Sequence, residues 1–184
     1  MASAFSHAIA ASAITAVFYR PNVSKRVWIT GIACSVLPDL DVIGFRFGIH
    51  YGDFWGHRGF AHSLAFAAIL AAVLVIAISQ THSEISTVSL FAYLFLSTAS
   101  HGLLDAMTNG GLGVAFFSPF DSRRHFFPWR PIRVSPIGVS RFFGGRGLAV
   151  LKSELLWIWL PSILVIMLVT ISRRRRIAEP ELPR

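Results

Sequence analysis

The stretch from Ile85 to Met107, ISTVSLFAYLFLSTASHGLLDAM, decides how the rest of the chain is read. It is mostly apolar over a length that suits a ~30 Å hydrocarbon layer, which takes about 20 residues of helix. Near its end stand His101 and Asp105, four residues apart. On a helix that spacing puts both side chains on one side, about one turn from each other. A carboxylate at the end of a span is costly unless it is paired or bound to an ion. The segment therefore predicts both a transmembrane helix and a polar site at one of its ends.

Two further stretches are long and apolar enough to cross, Ser63 to Ser79 and Leu148 to Ser172. The latter carries Pro161, which can kink a membrane helix without breaking it. Two shorter apolar pieces, Phe5 to Tyr19 and Val27 to Leu37, flank the basic turn Arg20-Pro21-Asn22-Val23-Ser24-Lys25-Arg26 and read as short spans or as a helical hairpin packed in the bundle. The expected fold is all-α: a polytopic membrane bundle of about five helices, three long spans plus two shorter N-terminal helices. It occupies 1–172 as one domain, with a basic disordered tail over 173–184. The connectors Pro38 to His62 and Asn109 to Arg146, rich in Gly, Pro and aromatic residues, read as ordered loops at the membrane surface. No internal repeat is evident.

Composition agrees. The chain has 184 residues, 54% hydrophobic and only 14% charged, which is far from the soluble average. Its net charge of +8 comes from basic residues lying between and after the apolar stretches, so anionic lipid is the expected partner and nucleic acid is not. A single cysteine, Cys34, excludes an intrachain disulfide and a cysteine-based zinc knuckle. The first basic residue, Arg20, follows the first apolar stretch, the wrong order for a secretory signal, so the N-terminus is expected to stay as a mature helix. Lipidation boxes are missing, and membrane association must come from the spans. Eight basic residues fall on each side of the bundle, so counting them gives no orientation. The run Arg173-Arg174-Arg175-Arg176 at a span end favours a cytoplasmic tail and an outward-facing site.

With alternating crossings, His7, Asp39, Asp41, His57, His62, His101 and Asp105 all come out at one membrane face, where chance would scatter them. His57 and His62 are five apart, which suits a loop position followed by a first helical turn. In Leu37-Pro38-Asp39-Leu40-Asp41 an extended backbone would point the two aspartates opposite ways, one to bind metal and the other to bridge, orient a histidine or act as a base. Four histidines and three aspartates exceed the ligand set of one tetrahedral zinc, so two ions are plausible. Mixed imidazole and carboxylate donors suit Zn, Mn or Fe. Such ions would bring the pKa of a bound water towards neutrality and stabilise charge on a phosphoryl or acyl oxygen. Asp41, Asp39 and His62 are the candidate catalytic residues. His50 and His82 lack partners at useful spacing, and His125 reads as a surface residue. In the aromatic second connector, Arg123, Arg124 and Arg130, together with Arg58 of the first, are candidates for holding a substrate phosphate. The same aromatics and arginines could equally anchor the loop to headgroups. Gly110-Gly111-Leu112-Gly113 lacks the strand, helix and lysine of a phosphate loop.

These residues carry a resemblance. Ser6-His7-Ala8, Leu37-Pro38-Asp39-Leu40-Asp41, His57-Arg58-Gly59-Phe60-Ala61-His62-Ser63, Ser100-His101-Gly102-Leu103-Leu104-Asp105, Thr108 and Ser118-Pro119-Phe120 resemble, in order and approximate spacing, the YdjM-type family of LexA-regulated, membrane-bound, metal-dependent hydrolases. The match covers positions 6 to 120. It implies a bacterial inner-membrane hydrolase with the seven histidines and aspartates as its polar core and zinc as the expected ion. That pattern is in turn similar to bacterial zinc-dependent phospholipase C, which favours a phosphoester of a lipid or lipid-linked molecule as substrate. The competing expectation is a non-enzymatic metal-binding or ion-transporting membrane protein, and a weaker third is a lipid-binding scaffold with a structural metal.

Overall fold

The computed structural model describes residues 1–79 and 85–178. Helix α1 (Ala4–Phe18) starts at Ser3, whose hydroxyl accepts from the Ser6 amide, and α2 (Lys25–Val36) starts at Ser24, whose hydroxyl accepts from Arg26. These caps satisfy amides that have no partner inside the helix. At Leu37 the helix tightens into a 3-10 run, Leu37–Phe47, because Pro38 has no amide hydrogen to continue the α pattern, and the run ends at Gly48 with a φ of 79°. A 3-10 turn, Phe60–His62, leads into α3 (Leu64–Ser79), and α4 (Thr87–Ala106) follows from its Ser86 cap. The last helical stretch is continuous: α5 (Val139–Arg141), a π segment (Phe142–Arg146), α6 (Gly147–Glu154), a second π segment (Leu155–Trp159) and α7 (Leu160–Ala178).

The bundle is all-helical, as expected, and no strand occurs among the described residues; the only pairings are the isolated bridges Thr108–Ile132 and Val114–His125. Helix α4 is its centre and packs against α1, α2 and α3, while α7 lies along α1. Tyr93 shows why α4 can sit there. Its fully buried ring faces Gly31 of α2, and its hydroxyl donates to Trp28 O at 2.7 Å and lies 2.9 Å from Thr15 Oγ1 of α1. On the outside, α7 exposes Ile163, Leu164, Met167 and Leu168, the surface expected of a helix solvated by acyl chains.

The helices that are long and apolar enough to cross a membrane are Lys25–Phe47, Thr87–Ala106 and Gly147–Arg175. Three were expected, but one differs. The 3-10 extension lengthens α2, which joins the long set, whereas the Ser63 to Ser79 stretch yields one of the shorter apolar helices. The second connector also ends earlier than Arg146, since helix resumes at Val139. Helix α7 continues through Arg173, Arg174 and Arg175 to Ala178; the remainder of the expected tail, 179–184, and His82 lie outside the described residues. The connector 107–138 folds back over the end of α4, with Phe127 donating to Ala106 O at 3.0 Å and Ile132 to Met107 O at 3.3 Å.

Candidate metal centre

The elements converge at one end of the bundle. Helix α1 brings His7 near its start, the 3-10 run brings Asp39 and Asp41, the loop and turn before α3 bring His57 and His62, and the last turns of α4 bring His101 and Asp105. The aspartates are on a 3-10 helix instead of the extended strand considered above. Its three residues per turn still separate neighbours at i and i+2 by about 120° in projection. Both reach the same imidazole: Asp39 Oδ1 lies 3.7 Å from His62 Nε2 and Asp41 Oδ2 lies 3.1 Å from His62 Nδ1.

Donor atoms of Asp39, His62, His101 and Asp105 lie within 4.8 Å of one another, all four residues buried, and a second group of Asp41, His57 and His62 shares one member with the first. His101 Nε2 is 3.0 Å from His62 Nε2 and 3.3 Å from Asp39 Oδ1, and Asp105 Oδ2 is 3.7 Å from His62 Nε2. Tautomer logic shows what this arrangement lacks. His101 Nδ1 is 2.7 Å from the Ser35 carbonyl, which can only accept, so the hydrogen belongs on Nδ1. His62 Nδ1 faces the Asp41 carboxylate and carries its hydrogen for the same reason. In the neutral rings, both Nε2 atoms therefore present lone pairs to each other and to carboxylate oxygens, a repulsive arrangement that a shared cation relieves.

Charge and unpaired atoms agree with that reading. Asp39, Asp41 and Asp105 bring three carboxylates together, faced by the buried guanidinium of Arg58 and by the His62 imidazole. Charge buried without a partner costs several kcal/mol per ion, and a bound cation would add to the pairing of these carboxylates. Both oxygens of Asp39, both ring nitrogens of His7 and Nε2 of His57 are buried without hydrogen-bond partners. Burial by itself disfavours a charged His62, yet the neighbouring carboxylates of Asp39 and Asp41 outweigh this and raise its pKa to about 9; the place attracts positive charge. His57, by contrast, is lowered by burial, only partly offset by the Asp41 bond at 2.8 Å, so it stays neutral with its Nε2 lone pair free. The donor set fits a metal ion. Ser35 O and Asp41 would act on it indirectly, by fixing ring orientation and tautomer.

All seven predicted ligands are thus brought together, with graded roles. His7 belongs to neither donor group; its ring stacks on His101 at 3.7 Å, and its Nε2 lies 3.5 Å from Asp105 Oδ1. The arginines expected to hold a phosphate are placed differently. Arg58 is fully buried, with Nε 3.0 Å from Asp105 Oδ2, Nη1 donating to Gly110 O at 2.9 Å and Nη2 to Thr108 Oγ1 at 2.8 Å. Arg124 donates to the carbonyls of His57, Tyr51 and Asp53 and ties the two connectors together. Those two side chains serve the protein, because their donors already have internal acceptors. Arg123 is exposed and paired with Asp121 at 2.7 Å, and Arg130 lies over the Phe126 ring at 4.7 Å. His125 pairs through its backbone with Val114, and His50 sits in an exposed pair with Asp53, both away from the cluster.

Two contributors escaped the reading of the sequence. Ser35 acts through its carbonyl, which no residue type announces. Glu154 had a signal: it is the one carboxylate within the Leu148 to Ser172 stretch. It is fully buried and accepts from Ser3 N at 2.5 Å and Ser3 Oγ at 2.6 Å, pinning the segment whose Ala2 amide donates to Asp105 Oδ1 at 2.7 Å.

A helical bundle with membrane-length spans and a buried histidine and aspartate cluster at one end defines a polytopic membrane protein with a candidate metal centre. The chain matches the model of the YdjM inner membrane protein family over residues 1–177 and belongs to that family, which places it in the inner membrane. It is similar to inner membrane protein YbcI of Escherichia coli (strain K12), 39% identical over 152 residues that cover 83% of this chain and 87% of the relative. No solved structure matches it.

Proposed function

We propose that this protein is a membrane-bound, metal-dependent hydrolase that cleaves a phosphoester of a lipid or lipid-linked molecule. One observation carries the choice of substrate. A groove of about 350 Å³, lined by Leu37, Leu40, Ile49, Trp55 and Phe66, has Asp41 in its wall. Asp41 is the carboxylate that joins His57 to His62, so an apolar chain in the groove would bring the bond it carries to the edge of the cluster. An exposed apolar recess at a membrane surface takes acyl or isoprenoid chains more readily than a soluble phosphate.

A divalent ion, Zn or alternatively Mn or Fe, held by Asp39, His62, His101 and Asp105 would supply an acidified water and positive charge opposite the phosphoryl oxygens. The chain's own groups do the rest. Asp41 Oδ1 and Oδ2 hold the Nδ1 hydrogens of His57 and His62, and the free Nε2 of His57 is a base able to take up a proton. Arg58, with Nε 3.0 Å from Asp105 Oδ2, holds that carboxylate at the cluster.

Purified protein in detergent tests the reading by elemental analysis alongside phosphate release from phospholipids and isoprenoid phosphates. His101→Ala and Asp105→Ala should each lose most of the bound metal and lower turnover by a factor of about 100 or more, the scale of losing a key electrostatic group. Full metal content in His101→Ala would refute the centre. Ion flux in proteoliposomes, with no hydrolysis by metal-loaded protein, would favour a transporter instead.

A further inference from the structure

The end of the bundle away from the metal centre carries a second cavity, of about 450 Å³, lined by Val17, Tyr19, Arg20, Asn22, Ser89 and Arg173 among others. Helix α4 holds Ser89 in its first turn and Asp105 in its last, and at 1.5 Å per residue the two are about 24 Å apart. The cavity is where the end of α1, the turn after it, the start of α4 and the arginine-bearing end of α7 meet.

Its chemistry is one-sided. Two guanidinium groups, an amide and the hydroxyls of Ser89 and Tyr19 line it, and no carboxylate does among the described residues. Arg173 is half-buried and held in place through Nη2, which donates to Val17 O at 2.9 Å, one of the carbonyls that α1 leaves open at its C-terminus. That bond uses one of five donors and leaves the others on a fixed side chain. Arg20 is exposed and free to close over a ligand. The remaining walls, Val17, Phe18 and Tyr19, are apolar or amphipathic, and Val17 is 53% exposed at the outer surface of the bundle. Tyrosine and arginine together mark the headgroup level of a bilayer.

We propose that this cavity binds the headgroup of an anionic phospholipid, with the phosphate between Arg20 and Arg173 and the acyl chains running down the exposed side of Val17. Guanidinium groups match phosphate oxygens in pairs, and basic pockets between membrane helices are suited to such lipids. A phosphate free in solution would satisfy the arginines but gain nothing from the apolar wall, so the lipid is the better occupant. The site stands apart from the metal centre and does not depend on what that centre does.

Native mass spectrometry of the full chain, carried in mixed micelles with phosphatidylglycerol or phosphatidylcholine, tests it. The wild-type protein should retain phosphatidylglycerol in preference to phosphatidylcholine. Arg173→Gln should weaken that retention about tenfold, the loss expected of one charge-assisted hydrogen bond. Arg20→Ala, whose side chain makes no bond among the described residues, should weaken it without touching the fold, whereas Arg174→Gln, outside the cavity, should not. Metal content should be the same in all three. Equal retention by wild type and Arg20→Ala, equal binding of the two lipids, or displacement of phosphatidylglycerol by millimolar inorganic phosphate would each overturn the proposal.

Discussion

At the scale of single residues, Arg58 matters most after the ligands themselves. It occupies a left-handed backbone position, φ 64°, and spends its side chain on Asp105, Thr108 and Gly110. Replacing it by Met would leave Asp105 buried with its guanidinium gone, a change that costs about 3–5 kcal/mol when one partner of a buried pair is removed. Arg58→Lys keeps a charge but cannot reach three acceptors with one planar fork. Thermal unfolding in detergent should show a large loss for Arg58→Met and a smaller one for Arg58→Lys. If Arg58→Met unfolded like the wild type and only its Michaelis constant rose, the arginine would be a substrate group after all. The residue also marks what sequence can and cannot reveal. His101 and Asp105 were legible as a pair because helical spacing alone puts them on one side. The burial of Arg58 was not, since an arginine beside a predicted membrane surface reads as solvated until the chain segments that enclose it are in place.

At the scale of elements, the same contrast separates α4 from α2. The α4 segment announces itself by length and apolarity and was placed nearly to the residue. The α2 stretch was read as a short apolar piece ending at Leu37, yet the chain keeps a helical course past Pro38 and two aspartates to Phe47 by tightening to 3-10 geometry. Charge in that run is tolerated because Asp39 and Asp41 find imidazoles across the bundle, a tertiary fact outside local propensity. The packing of α2 on α4 has its own test. A Cβ at Gly31 would overlap the ring of Tyr93, which is held by Trp28 and Thr15 and has little room to yield. Gly31→Ala should therefore destabilise the protein by about 1–3 kcal/mol, the usual cost of overpacking. Pairing it with Tyr93→Phe, which frees the ring from its hydrogen bonds, should recover part of the loss. An unchanged melting temperature in Gly31→Ala would mean that these helices are further apart than described.

At the scale of the molecule, the two ends are chemically unlike among the described residues: one buries the carboxylates and histidines of the cluster, the other carries Arg20, Lys25, Arg26 and the arginines at the end of α7. The arginine run at the end of α7 predicts that this second end faces the cytoplasm and the metal centre faces outward. In a Cys34→Ser background, a cysteine placed at Phe120, which is 90% exposed in the second connector, should react with an impermeant maleimide in intact spheroplasts, and one at Arg174 should react only after lysis. The opposite pattern would reverse the assignment. The span of chain over which the ligands are drawn has a further consequence for biogenesis. The grouped donors run from position 39 to position 105, and Arg58 is clamped beside them only once Thr108 and Gly110 have been made. A nascent chain halted before α4 inserts holds Asp39 and Asp41 at the edge of the lipid with no His101 to meet and no clamp above them. Such a fragment lacks part of the donor set, so the cluster exists only in a chain whose fourth helix is already in place.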